Sequence, residues 1–174
     1  EVDDLGRVLQ ASRNLLELIT DMLELSKIET GKTSFQRGIV DIGSLVQSVV
    51  SSFDLQQQGN GNMLVTKVED GIGIMIGDSG KIRQCLLNLV GNALKFTQAG
   101  EVRLTASAIE RDGQGLIEFC VTDTGVGMTP EEVKSLFRDS GPGPVAEEDR
   151  LSGPRLGLTI THRLAALMGG NVAV

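Results

Sequence analysis

The chain has 174 residues, 40% of them apolar, and a formal charge of −7, which suits one compact domain with an appendage. That acidity excludes a basic surface for nucleic acid and leaves any anionic ligand to local positive groups. No run approaches the roughly eighteen apolar residues of a membrane span and no charged-then-apolar leader opens the chain, so a soluble fragment with no direct membrane contact of its own is expected.

Residues 1–30 read as one long helix. Leu5, Leu9, Ser12, Leu16, Ile19, Leu23 and Ser26 alternate four- and three-residue steps, and Leu15, Met22 and Leu25 widen the apolar face. Such a face needs other helices. The expected partners are a preceding hairpin helix and the same pair from a second subunit, in a four-helix bundle; the alternative is packing on the chain's own domain. Gly31 is the expected stop. An extended piece at 37–40 then leads to Asp41 as N-cap and a helix to about Gln57, with Leu45, Val46, Val49, Val50 and Phe53 inward. Residues 59–62, Gly-Asn-Gly-Asn, are turn chemistry. Met63–Val68 and 73–76 read as strands, the second ending at Asp78.

The helix expected over 80–97 is unusual. Ile82, Cys85, Leu86, Leu89, Val90 and Ala93 share one apolar face, while Asn88, Asn92 and Lys95 follow one another at four- and three-residue steps. Asn is a mediocre helix former, so two in mid-helix point to occupied carboxamides. Their carbonyl oxygens suit Mg²⁺ and the Lys suits a phosphate oxygen; capping of neighbouring loops is the plainer use.

Two strands come next, at 101–110 and 115–124, joined by a hairpin turn at Arg111-Asp-Gly-Gln. The second runs into Val121-Thr-Asp-Thr-Gly-Val-Gly-Met128. Glycines two apart let the backbone approach a ligand, and a carboxylate at the strand end can accept from an exocyclic amine such as that of adenine. Thr129-Pro-Glu-Glu132 opens a short helix, closed by an inward Phe137. Residues 138–154 hold three prolines, three glycines and six charges, which fits either a mobile lid or an ordinary loop. A final helix over 155–168 buries Leu158, Ile160, Leu164 and Leu167, with an N-terminus suited to phosphates, and 169–174 begin a strand. His162, inside that helix, reads as structural. Cys85 and Cys120 read as small buried hydrophobes on apolar faces.

Taken together, Asp78, the run Gln84-Cys-Leu-Leu-Asn88-Leu-Val-Gly-Asn92-Ala-Leu-Lys95-Phe-Thr97, the turn Asp123-Thr-Gly-Val-Gly127-Met, Leu136-Phe137 and Gly153-Pro-Arg-Leu-Gly157-Leu-Thr-Ile resemble, in order, the N box, first glycine box, F box and second glycine box of the two-component sensor histidine kinases. These share an ATPase superfamily with gyrase and the heat-shock chaperone. The resemblance implies an α+β fold, a two-layer sandwich of a mixed sheet on helices, over residues 32–174. Residues 1–31 would be the second helix of a dimerisation and phosphoacceptor hairpin whose first helix, with the phosphoaccepting histidine, is absent from the sequence.

The resemblance further implies ATP and Mg²⁺ as ligands. Asn92 would coordinate the metal with support from Asn88, Lys95 would touch phosphate, and Asp123 would bind the adenine amine. Gly125, Gly127 and Met128 would line the base, with Gly153, Arg155, Gly157 and Leu158 at the triphosphate. A homodimer through the N-terminal helix and a response-regulator receiver domain are the implied partners. Pro154 and Arg155 depart from the family's pattern, as does a missing second phenylalanine in the F box. They motivate an alternative, a degenerate module that binds nucleotide weakly and acts as a dimerising scaffold. A topology or chaperone ATPase is disfavoured, because an acid stands there where Asn88 stands here.

Overall fold

A computed structural model describes residues 2–53, 61–133 and 153–174. Its elements, in chain order, are helix α1 (Val2–Glu29), strand β1 (Gly38–Asp41), helix α2 (Ile42–Val50), strands β2 (Met63–Val68) and β3 (Ile74–Gly77), helix α3 (Ser79–Phe96), strands β4 (Glu101–Arg111) and β5 (Gln114–Asp123), and helix α4 (Gly153–Leu167).

Strand β4 is the centre of a three-stranded sheet, parallel to β2 and antiparallel to β5, while β1 and β3 form a separate antiparallel ribbon. The β4–β5 turn is tight: Asp112 and Gly113 both have positive φ, 54° and 75°, the two-residue hairpin loop whose twist matches the flanking strands. Along β4, Val102, Leu104 and Ala106 alternate inward and Arg103 faces solvent, as period-2 geometry requires.

Helix α3 lies in the middle. Its Ile82, Leu86, Val90, Ala93 and Leu94 join the sheet-side core with Ile42, Leu45, Val46, Val49 and Phe53. On another side Cys85 packs with Leu156, Ile160 and Leu164 of α4 and Ile28 of α1. The fold is therefore the expected α+β arrangement, a mixed sheet covered by helices.

Helix α1 packs on the chain's own domain over the part nearest its C-terminus. Near its C-terminus Leu18, Leu25 and Ile28 pack on α4, and two ion pairs, Glu24 with Lys81 and Glu29 with Arg163, fasten it to α3 and α4. Leu9, Leu16 and Leu23 remain exposed, with Val8, Leu15 and Met22 beside them. Gly31, at φ 65°, ends the helix, with Lys32 N–H on Lys27 O and Gly31 N–H on Ile28 O, the left-handed C-terminal cap.

Several expectations need correction. Helix α2 begins at its Asp41 cap but stops at Val50 and passes into turns at 51–53, where the Ser51 and Ser52 hydroxyls donate to the carbonyls of Gln47 and Ser48 and compete with continuation. Residues 54–57, in the rest of that expected helix, lie outside the described residues. Cys120 is exposed, since Ile117, Phe119 and Val121 take the inward face of β5. Leu167 is exposed and Leu158 half-buried, because the buried stripe of α4 runs at four-residue steps through Leu156, Ile160 and Leu164. Residues 169–174 form no strand: Gly169 at φ 82° and the Gly170 N–H on Ala165 O close α4, and no described strand pairs with residues 171–174.

Candidate functional site

The helix that carries the two amides is fixed at both ends. At its start Asp78 is the N-cap, one carboxylate oxygen accepting from the Lys81 amide at 3.0 Å and the other from the Gln36 amide at 2.8 Å. Burial alone would raise this carboxyl, but the amides of Gln36, Lys81 and Gly80 and the charge of Lys81 outweigh it and hold the pKa below the usual carboxylate value.

Midway along α3, Asn88 meets α4. Its Nδ2 donates to Gly157 O at 3.2 Å and lies 3.5 Å from Thr161 Oγ1, which itself donates to Gly157 O at 2.8 Å. A Cβ at position 157 would stand 3.5 Å from Asn88 Cγ, so the first turns of α4 and the amide are in van der Waals contact. Asn92 is half-buried one turn further along α3 and Lys95 is exposed beyond it, its Nζ 5.7 Å from the Phe96 ring centroid. Leu158 is half-buried beside Gly157, and the backbone of Gly153, Pro154 and Arg155 forms the first turn of α4.

The glycine turn sits at the other end of α3. Asp123, exposed at the end of β5, accepts from the Gly125 amide at 2.8 Å. A Cβ on Gly125 would fall 2.4 Å from Phe96 O and 2.8 Å from Asp123 Oδ1, so only glycine lets this turn touch the helix end. Gly127 has φ 68°, and Val126 and Met128 point outward into solvent, 87% and 49% exposed. Helix α3 thus touches α4 at Asn88 and the glycine turn at Phe96, about 12 Å apart along its axis.

Beyond the turn, Thr129 and Glu132 cap the next helical turn reciprocally: Thr129 N–H reaches Glu132 Oε2 at 2.7 Å and Glu132 N–H reaches Thr129 Oγ1 at 3.3 Å. The Leu136-Phe137 pair, residues 138–152 of the expected lid at 138–154, and the side chains of Pro154 and Arg155 lie outside the described residues, while residues 153–154 of that lid belong instead to the first turn of α4.

Asn62 was legible only as turn chemistry, yet it is buried and bonded across more than thirty residues of chain. Its Nδ2 donates to Leu94 O at 3.0 Å and Thr97 O at 2.8 Å, and its Oδ1 accepts from Gly100 N at 3.2 Å. A single asparagine beside glycines carries no sequence signal for such a role.

Among the described residues no group of three or more His, Cys, Asp and Glu side chains is arranged to hold a metal. The donor set here is two neutral carboxamides and an ammonium, which fits a hard divalent ion held largely by phosphate oxygens and water. Cys85 packs among Leu156, Ile160 and Leu164, where burial pushes its thiol up to about 12.

Residues 77–174 match the family described as histidine kinase-, DNA gyrase B-, and HSP90-like ATPase. The virulence sensor protein BvgS of Bordetella bronchiseptica is 38% identical over 167 residues, 94% of this chain and 13% of that protein. The histidine protein kinase DivJ of Caulobacter vibrioides is 36% identical over 166 residues, 95% of this chain and 27% of that one. The chain therefore spans about an eighth to a quarter of these relatives. Among solved structures, full-length ShkA in complex with AMPPNP aligns with a TM-score of 0.76 at 34% identity, over 96% of this chain and 34% of that one. The Acinetobacter baumannii histidine kinase AdeS shares the fold, with a TM-score of 0.68 at 19% identity, over 93% of this chain and 72% of that one.

Proposed function

Because this chain belongs to the histidine kinase-, DNA gyrase B- and HSP90-like ATPase family, we propose that residues 32–174 are the ATP-binding catalytic unit of a two-component sensor histidine kinase. It transfers the γ-phosphate of ATP to a histidine on a dimerisation helix, for relay to a response-regulator aspartate. The observation that carries this reading is the double contact of α3, with the base-type glycine turn at Phe96 and the phosphate-type helix α4 at Asn88. A nucleoside triphosphate laid along that helix has its base at Asp123 and its phosphates toward Asn88, Asn92 and Gly157.

In this arrangement Asp123, oriented by the Gly125 amide, accepts from the adenine amine, and Gly125, Gly127 and Met128 line the base. Lys95 meets a phosphate oxygen as a point charge. Asn92 holds Mg²⁺ with support from Asn88, whose amide is oriented by Gly157 and Thr161. A magnesium ion held by these amides would supply positive charge against the phosphoryl group. The N-terminal turn of α4, with Gly153 and Arg155, together with Gly157 and Leu158 behind it, faces the triphosphate, where the helix end favours anions. An amide at Asn88 takes no proton from water, which suits transfer to a protein histidine over hydrolysis.

Residues 1–31 are the second helix of the dimerisation hairpin in this reading. The exposed Leu9, Leu16 and Leu23 stripe is its seam with the missing helix and with a second subunit. No described helix is long and apolar enough to cross a membrane, and a cytoplasmic location agrees with the ATP requirement.

The test is phosphotransfer in trans. The chain is incubated with Mg-ATP labelled at the γ-phosphate and a helical hairpin carrying an accessible histidine. Acid-labile, base-stable label on the hairpin is expected, and release of inorganic phosphate without labelling contradicts the proposal.

A further inference from the structure

Asn62 is 7% exposed and uses both ends of its amide on one short segment, the turn that leaves α3. That turn is conformationally costly: Ala99 sits at φ 49°, a left-handed backbone that an alanine rarely adopts. The Leu94 and Thr97 carbonyls, near the end of α3 where helix carbonyls lose intrahelical partners, both accept from Asn62 Nδ2, while Gly100 N–H donates to Asn62 Oδ1 and Met63 N–H to Gly100 O. Four hydrogen bonds from residues 62 and 63 therefore clamp the turn.

The clamped turn carries the glycine loop. Thr124 N–H donates to Glu101 O at 3.1 Å and Glu101 N–H donates to Thr124 Oγ1 at 2.9 Å. A Cβ on Gly100 would lie 2.3 Å from Thr124 Oγ1, and Gly125 abuts Phe96 O in the same way. The position of Asp123 and Gly125 relative to α3 is thus set by the 97–100 turn, and that turn is set by Asn62.

We propose that Asn62 is a positioning residue for base recognition: by holding the end of α3 against the 97–100 turn it fixes the glycine turn that selects adenine. It touches no nucleotide itself. The inference rests on the proposed ATP site, and its failure is separable from the failure of that reading.

The experiment compares ATP and GTP binding to the wild-type chain, Asn62→Leu and Asn62→Ser, by titration calorimetry at a temperature where circular dichroism shows native helix content. Asn62→Leu keeps volume and removes every bond, and Asn62→Ser retains one donor. The expected result is a loss of ATP affinity of about ten-fold for Asn62→Leu, smaller for Asn62→Ser, with GTP affinity little changed, so that the preference for ATP collapses. Equal losses for both nucleotides, unchanged ATP affinity, or loss of the native fold in both variants would overturn the inference by making Asn62 a general structural residue or none. Absence of ATP binding by the wild-type chain would instead overturn the proposed function.

Discussion

Replacing Gly125 by alanine tests the contact that joins the glycine turn to α3. The new methyl carbon would stand 2.4 Å from Phe96 O and 2.8 Å from Asp123 Oδ1, about 1 Å short of ordinary van der Waals separation in the first case. The Phe96 oxygen is backbone at the end of an 18-residue helix and cannot swing aside as a side-chain tip would. The turn must therefore back away by a comparable distance, and the Gly125–Asp123 hydrogen bond of 2.8 Å stretches or re-aims with it. Overpacking of this kind costs about 1–3 kcal/mol. In the proposed complex the same displacement moves the Asp123 carboxylate away from the adenine amine, beyond the roughly 2.7–3.2 Å that a hydrogen bond tolerates. Gly125→Ala should lower the denaturation free energy by about 1–3 kcal/mol and weaken a fluorescent ATP analogue by at least about ten-fold. A variant with wild-type stability and wild-type affinity would refute the reasoning.

Other expectations are independent of the nucleotide. Asp78 has its carboxyl held below the usual value by backbone amides, so its stabilising contribution is complete above the ordinary carboxylate range and lost as pH falls through the lowered native value. Asp78→Ala should cost about 0.5–2 kcal/mol near neutral pH and lose less stability than wild type on acidification, read by urea denaturation at several pH values. Cys120 is exposed and Cys85 buried with its thiol pushed up to about 12. A thiol reagent at mildly alkaline pH should consume one equivalent in the native chain and a second only on unfolding; rapid modification of both would contradict the packing of α3 on α4. Leu164 is fully buried and Leu167 is 49% exposed, so Leu164→Ala should cost about 2–5 kcal/mol and Leu167→Ala within about 0.5 kcal/mol, a contrast that reverses if the α4 stripe is assigned to the wrong face.

Much of this architecture was legible because local signals agreed with one another. Asp41 and Asp78 precede apolar stripes at helical spacing and both cap helices. The Asp-Gly pair at 112 and 113 sits between alternating runs and makes the hairpin turn. The two asparagines and the glycine turn invite a ligand-directed reading because they are poor choices for a helix and a strand end with nothing to bind, and the structure gives the Asn88 amide a backbone partner at Gly157.

The features that escaped depend on contacts distant in sequence. Periodicity alone placed Leu167 inward because it cannot say at which angle α3 and α1 meet α4, and the four-residue drift from Leu156 to Leu164 decides that. The apolar character of Cys120 suggests an inward position, although its neighbours Phe119 and Val121 fix the pleat the other way. The burial of α3 on two sides, and the three bonds of Asn62 to residues 94–100, exist only once β2 lies parallel to β4. No stretch of the chain taken by itself contains that information.

The proposed activity requires α3 to hold a base at one end and metal-bound phosphates toward the other. Its most direct test is calorimetric titration of the chain with ATP in the presence and absence of Mg²⁺, alongside Asp123→Ala and Asn92→Ala. Saturable one-to-one binding with Kd below about 1 mM is expected, weakened by Asp123→Ala for every adenine nucleotide and by Asn92→Ala only when Mg²⁺ is present. Binding that fails to saturate at millimolar nucleotide, or that neither substitution changes, would contradict it.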